Sequence, residues 1–231
     1  GNPGPYIEPL HNAGIQVFPL VSSVALARRL ARQGVDGLVV EGHESGGHVG
    51  DVSTLPLVPQ IVDAVQVPII AAGGIADGRG MAGALALGAV GVQMGTRFIC
   101  TTECTAHDNY KKKIVKAGDR GTMVTGASLG HPVRALRNPM GRKFAKMERE
   151  AQVTEEELIA FGTGKLRLAA EDGDVSGGSV MAGQSCGLVD DIVSVAKVIE
   201  RVICQAETQI ATLNQLREST SHTSAGVVSR G

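Results

Sequence analysis

The sequence predicts an α/β fold with a parallel sheet, and three observations lead there. Short apolar runs alternate with stretches of helical periodicity, at intervals of roughly 20–30 residues. The apolar runs are continuous, without in/out alternation, as in strands buried on both faces. Several of these runs end directly in glycine-rich loops, where a parallel α/β fold carries its ligand sites.

Residues Gly1–His11 are turn-rich, and Ile15–Leu20 then reads as a first short strand. Ser22 or Ser23 can cap a helix through Arg32, with Val24, Ala27, Leu30 and Ala31 on its apolar side and Gly34 past its end. Val35–Glu41 is the next strand, Leu55–Val65 a helix and Val67–Ala72 a third strand that stops at Gly73-Gly74. Asp77 is placed to cap a helix to Leu87, which Gly88 ends. Val90–Met94 is a fourth strand and leads into Gly95-Thr96-Arg97.

After about Thr101 the pattern changes. His107–Lys116 reads as an amphipathic helix with solvated lysines, and Ala117–Met140 as a loop-rich insertion over the sheet. Thr154 and Glu157 form a capping-box start for a helix ending near Gly162. Gly173–Gly187 is a second glycine-rich stretch, either a surface crossover or a pocket wall carrying Met181 and Gln184. Ile192, Val195, Ile199, Val202, Ala206, Ile210 and Leu213 mark a long amphipathic helix within 188–216. The Ser, Thr and Gly-rich residues 217–231 read as a disordered tail.

Composition removes several classes of function. A chain of 231 residues, 43% hydrophobic and 19% charged, can bury a substantial core. A net charge of −1 with 3% aromatic residues gives neither the basic footprint nor the stacking set of a nucleic-acid binder. No apolar run reaches membrane-spanning length. Cys100, Cys104, Cys186 and Cys204 lack disulfide-framework spacing, which fits a reducing compartment such as the cytoplasm.

The candidate site gathers at the strand ends. Glu41–Gly50 (EGHESGGHVG) follows a strand and places His48 just after Gly46-Gly47. Glycines admit a flat or charged ligand close to the backbone, and a histidine titrates near neutral pH. Gly73-Gly74 and Gly95-Thr96 on successive strands offer backbone amides to a mononucleotide phosphate; read singly, each merely ends a strand. His43 reads as a solvated loop residue. Gly78, Gly80 and Gly83 match the dinucleotide pattern GxGxxG, but five residues separate Gly78 from Ala72, so they read as helix-packing glycines. Cys100, Cys104 and His107 lack a fourth nearby ligand, and no metal is expected.

These residues carry a family resemblance. EGHESGGHVG, VPIIAAGGIAD (67–77), VQMGTRF (92–98), GHPVR (130–134) and GSVMAGQSCGLV (178–189) resemble the flavin-dependent enoyl-acyl-carrier-protein reductases and the related nitronate monooxygenases, once called 2-nitropropane dioxygenases. The first three segments occur across the wider family; the last two are more similar to the enoyl reductase branch. The resemblance implies a TIM-type (β/α)8 barrel that binds FMN and is reduced by NADH or NADPH.

Under this resemblance the chain supplies the last four βα units, with about four more barrel strands expected upstream of Gly1. The implied division is 1–100 for the carboxyl half of the barrel, 101–187 for an α-rich substrate-side insertion, 188–216 for a C-terminal helix and 217–231 for the tail. Glu41, Gly46, Gly47, Ala72, Gly73, Gly74, Met94, Gly95 and Thr96 would bind FMN; His48 would be catalytic, and His131, Met181 and Gln184 would lie on the substrate side. The implied reaction is reduction of a 2-enoyl thioester on acyl-carrier protein or CoA, as in fatty acid biosynthesis. Oxidation of alkyl nitronates by reduced FMN and oxygen is the alternative. A non-catalytic half-barrel is a third reading. Four βα units leave two open sheet edges, so the chain alone is expected to be poorly soluble or oligomeric, as in a homodimer, and largely flavin-free.

Overall fold

The computed structural model describes residues 2–225. In chain order the first half contains α1 (Gly4–Asn12), β1 (Leu20–Val21), α2 (Val24–Ala31), β2 (Leu38–Glu41), β3 (Gly47–His48), α3 (Thr54–Val62), β4 (Ile69–Ala72), α4 (Gly78–Ala86) and β5 (Gly91–Gln93). The second half adds α5 (Thr96–Ile99), α6 (Asp108–Val115), β6 (Thr122–Thr125), β7 (Val133–Leu136), α7 (Pro139–Met147), α8 (Glu155–Gly162), α9 (Lys165–Ala170) and α10 (Val195–Ala225).

Among the described residues, β1, β2, β4 and β5 form one parallel sheet in that order. Its register aligns Glu41 with Ala72 and Ala72 with Gln93, so three strand ends meet at one rim. Leu38, Val40, Ile69 and Ala71 are buried beneath that rim against Leu57, Val58 and Ile61 of α3 and Leu30 of α2. These continuous apolar runs become strands because helices cover the sheet and leave little water-facing surface.

β1 is shorter than the strand expected over Ile15–Leu20. The Asp36 side chain, not a neighbouring strand, takes the Val17 amide (2.7 Å), and Pro19 has no amide hydrogen to give. Only Leu20–Val21 therefore joins the ladder. The cap readings are met: the Asp77 carboxylate accepts from the Arg79 and Gly80 amides, and Thr154 and Glu157 form a reciprocal capping box.

The expected loop-rich insertion over Ala117–Met140 instead contains a β-hairpin. β6 and β7 pair antiparallel, and β7 pairs on its other side with β3 in the glycine loop. The buried positions of these four-residue strands include the polar Thr122 and Arg134, so no apolar alternation marks them in the sequence, and left-handed glycines at Gly126 (φ 82°) and Gly130 (φ 71°) break up the connection. The strands owe their order to the third strand, which comes from far upstream: Gly47 pairs with Arg134 and His48 with Val133, at least 85 positions apart by the difference of those residue numbers.

The last helix begins at Val195, because residues Gln184–Leu188 form a 3-10 turn and residues 189–194 are not helical. It continues to Ala225, through the first part of the stretch expected to be disordered; residues 226–231 lie outside the described residues. Its buried face is Val198, Val202 and Ala206, whereas Ile199, Ile210 and Leu213 of the expected apolar stripe are exposed. No helix among the described residues is long and apolar enough to cross a membrane.

α10 lies against α4, and Gly78 makes this approach possible. A Cβ there would stand 2.3 Å from the Val202 carbonyl oxygen, and the Gly78 amide donates to Gln205 Oε1 at 2.9 Å. Gly83, by contrast, has nothing within 4 Å of a built Cβ. Thus Gly78 is the packing glycine of the decoy motif and Gly83 is not. Gly78→Ala is expected to destabilise the fold by roughly 1–3 kcal/mol through overpacking. Gly83→Ala is expected to be neutral or to stabilise by about 0.5–1 kcal/mol. Urea melts of the two variants check the contrast, and equal midpoints would remove the packing role of Gly78.

Candidate active site

Two cavities meet above the rim of the parallel sheet. The first, about 300 Å³, is walled by Glu41, Ala72 and Gln93 at the strand ends and by the glycine turns that follow them. Gly73 and Gly74 are both left-handed (φ 89° and 76°). A Cβ on Gly73 would lie 2.9 Å from the Gly42 carbonyl oxygen, so the turn after β4 and the loop after β2 are in backbone contact. A Cβ built on Gly95 meets nothing within 4 Å, leaving its face open to the cavity it lines.

The loop after β2 is braced from three directions. Glu44 accepts from the Thr54 amide at 2.9 Å, placing a carboxylate at the N-terminus of α3 where Ser53 makes no side-chain cap. His43 Nδ1 and the Gly50 carbonyl are 2.7 Å apart, which closes the loop across its base. The ring nitrogen is accordingly a donor there. His43 is therefore a half-buried brace, contrary to its reading as a solvated residue. Arg134, buried at 4% exposure, donates through Nη2 and Nε to the His43 carbonyl (3.1 and 3.3 Å) and through Nη1 to Thr122 Oγ1 (3.1 Å).

Opposite this loop stands the second glycine-rich stretch, which proves to be a pocket wall. A Cβ on Gly46 would lie 2.6 Å from the Ala182 carbonyl carbon, and the Gly183 amide donates to Thr96 Oγ1 at 2.9 Å. Tyr110 Oη donates to the Met181 carbonyl at 2.8 Å, and burial holds its hydroxyl protonated well above the usual range. Ser45 Oγ is buried in the wall of the first cavity, and its nearest polar neighbour is the Glu41 carboxylate, with which it interacts only loosely. Burial also pushes the Glu41 carboxyl above its usual range.

The second cavity, about 450 Å³, lies under the hairpin and is largely apolar, with Leu129, Val133, Phe144, Leu158 and Ile159 in its walls. His48 and His131 both open onto it, their rings 6.3 Å apart and nearly perpendicular. Met181 and Leu166 line both cavities and form the wall between them.

Glu41, Gly46, Gly47, Ala72, Gly73, Gly74, Gly95 and Thr96 thus share the first cavity, and His48, His131 and Met181 share the second. Two expected residues fall elsewhere. The Met94 side chain packs against the core while Gln93 lines the cavity, because adjacent strand residues point to opposite faces. Gln184 is exposed on the 3-10 turn and lines neither cavity; its amide donates to the Glu44 carbonyl at 2.9 Å. Ser45, Gln93 and Tyr110 were not singled out by the sequence. Strand alternation could have found Gln93, but no local signal marks the other two.

The glycine turns, Thr96 and the buried Ser45 hydroxyl could hold the phosphate or polar edge of a mononucleotide, with no Lys or Arg in that cavity's wall. Among the described residues no group of three or more His, Cys, Asp and Glu side chains is placed to hold a metal ion. His107 caps α6 by accepting from the Asn109 amide (3.1 Å), and the buried Cys100 thiol is pushed up to about 11, which keeps it protonated at neutral pH.

Comparison with known proteins agrees with this arrangement. Residues 2–205 match the family described as nitronate monooxygenase. A (3aS,4S,5R,7aS)-5-hydroxy-7a-methyl-1-oxo-octahydro-1H-indene-4-carboxyl-CoA dehydrogenase of Mycobacterium tuberculosis is 36% identical over 92% of the chain and 71% of that protein. A probable nitronate monooxygenase of Staphylococcus saprophyticus is 35% identical over 87% of the chain and 59% of that protein. The solved structure of FabK from Thermotoga maritima superposes with a TM-score of 0.90 at 48% identity, covering 94% of the chain and 68% of FabK. With its parallel α/β sheet, its strand-end glycine turns and these relatives, the chain belongs to the nitronate monooxygenase family of TIM-barrel oxidoreductases.

Proposed function

We propose that this protein takes part in FMN-dependent, NAD(P)H-linked reduction of 2-enoyl thioesters in the cytoplasm. The observation that carries the reading is the junction of two cavities: one walled by strand ends and glycine turns, the other largely apolar and about 450 Å³, with His48 and His131 beside it. A small nitronate would leave most of the second cavity empty, whereas an acyl chain would bury apolar surface there. Further support comes from the enoyl reductase-like segments GHPVR and GSVMAGQSCGLV, and from a relative whose name specifies a carboxyl-CoA substrate.

In this reading residues 1–100 are the carboxyl half of the barrel, 101–187 the substrate-side region and 188–216 a helical element that packs on it. The Gly73, Gly74 and Gly95 amides and the Thr96 hydroxyl hold the cofactor phosphate, and Gly46-Gly47 lie along its ring. FMN, when bound, supplies hydride chemistry between nicotinamide and substrate. Ser45 Oγ, beside the Glu41 carboxylate, gives a hydrogen bond to a polar atom of the bound group. His48 polarises the thioester carbonyl or delivers a proton to the enolate carbon, and the apolar walls of the second cavity exclude water from the acyl chain. Nitronate oxidation remains a second reading, favoured by the likeness to a probable nitronate monooxygenase.

Two outcomes are expected. Gly74→Val places a branched side chain at φ 76° against Glu44 and should cut FMN retention on gel filtration by at least about tenfold; unchanged retention would displace the phosphate from this turn. His48→Ala should leave FMN content and reduction by NADH nearly intact while slowing the oxidative half-reaction with crotonyl-CoA by about 10²–10⁴-fold. Stopped-flow measurement of each half-reaction checks this, and a normal oxidative half-reaction would remove His48 from the chemistry. Oxygen uptake with an alkyl nitronate, and no reaction with crotonyl-CoA, would favour the second reading.

A further inference from the structure

Arg97 follows directly on the Gly95-Thr96 turn but does not line the first cavity. Its side chain is buried beside a separate small cavity of about 130 Å³, together with Asp191 and Val202. Arg97 Nη1 donates to Asp191 Oδ1 at 2.9 Å, and Nη2 donates to the Asp191 and Cys100 carbonyls at 2.9 and 2.8 Å. Nε is buried and meets no acceptor among the described residues, so these three contacts answer for the charge. The second carboxylate oxygen of Asp191 pairs with the exposed Arg201 of α10. Further contacts close the same seam. The Thr102 amide donates to the Val193 carbonyl at 3.0 Å, and Glu103 accepts from the Val195 amide at the start of α10, also at 3.0 Å. On its cavity side the turn has less support: Gly95 is exposed, with nothing within 4 Å of a built Cβ, and Thr96 Oγ1 accepts from the Gly183 amide.

We infer that Asp191 is a positioning residue for the cofactor phosphate: acting through Arg97 from outside the cavity, it fixes where the Gly95 amide and the Thr96 hydroxyl stand. The inference rests on the phosphate placement proposed above and adds to it a residue that touches no bound group. Groups that bind a ligand must be held to within about 0.5 Å of the productive geometry, and their own supports set that tolerance. Charge and position predict opposite outcomes here. Arg97 is the cation nearest in sequence to the turn, and Asp191 offsets its charge. Were charge the whole of its role, removing Asp191 would leave Arg97 less compensated and draw an anion in more strongly. Acting by position, its removal frees Arg97 and the turn before it, and a phosphate binds more weakly. Riboflavin, which lacks the phosphate, separates either effect from a general loss of structure.

Fluorescence titration of the full chain with FMN and with riboflavin tests this without any turnover. The parent chain is expected to prefer FMN by at least about tenfold. Asp191→Ala should lose most of that preference through weaker FMN binding, with riboflavin affinity within about twofold of the parent. Asp191→Asn, whose side-chain oxygen still accepts from Arg97 Nη1, should keep most of it. Lys197→Gln, which breaks only the exposed pair with Glu200 on α10, should keep all of it. Arg97→Lys retains a cation but lacks the planar fork that reaches Asp191 and Cys100 together, so it should behave as Asp191→Ala and decides the matter if that variant does not fold. Either of these two variants keeping the parent's preference, binding FMN more tightly, or losing FMN and riboflavin equally would overturn the inference. A parent chain that binds FMN no better than riboflavin, or binds neither, would overturn the phosphate placement itself and the inference with it.

Discussion

The site depends on a buried arginine that holds a loop by its backbone. Arg134 has almost no exposed surface, and burial lowers its pKa although Glu44 nearby raises it. Its charge is met by the His43 carbonyl and the Thr122 hydroxyl rather than by a paired carboxylate. Hydrogen bonds to a charged group contribute about 1.5–3 kcal/mol each, and leaving such a cation unsatisfied costs more. The loop after β2 therefore has a strong reason to keep the His43 carbonyl where the guanidinium needs it. Backbone pairing of Gly47 with Arg134 and of His48 with Val133 holds the other end of the same loop.

This clamp explains how a segment with so many glycines holds one shape. Gly46 and Gly47 are there because backbone must pass close to Ala182 and take a positive φ, and both requirements cost conformational entropy on folding. The hairpin, the Glu44 contact at the N-terminus of α3 and the His43–Gly50 closure offset that cost from three sides. As a result His48, although exposed, projects from a paired strand rather than from a free loop. A histidine on a fixed backbone next to an apolar cavity is better oriented for proton transfer than one on a mobile loop.

The two cavities share a wall but differ in lining. Glycine turns and the Glu41 carboxyl line the first beside Ile75 and Ile99, whereas the second has mostly hydrocarbon walls with His48, His131 and Lys165 among them. Met181 stands between them, its carbonyl held by Tyr110 and its strand bridge made to Ala135 of the hairpin. Parallel sheet, hairpin and α6 thus each fix one side of the same junction.

What the sequence determined by itself was the part written in local rules. Apolar runs and helical periodicity located the four parallel strands, Asp77 and Thr154 announced their helices, and paired glycines marked the strand ends that form the first cavity. Such signals act over a few residues, through φ preference, capping and side-chain period. The tertiary structure decided what depends on distant segments meeting. The hairpin needs Gly47–His48 as its third strand; His48 finds His131 across 83 positions; Tyr110 reaches Met181, and Lys143 shares Phe161 with Lys165. It also placed Met94 against the core and left Gln184 exposed. The physical reason is the same throughout: a side chain's neighbours are fixed by packing among elements, and no window of sequence contains that packing.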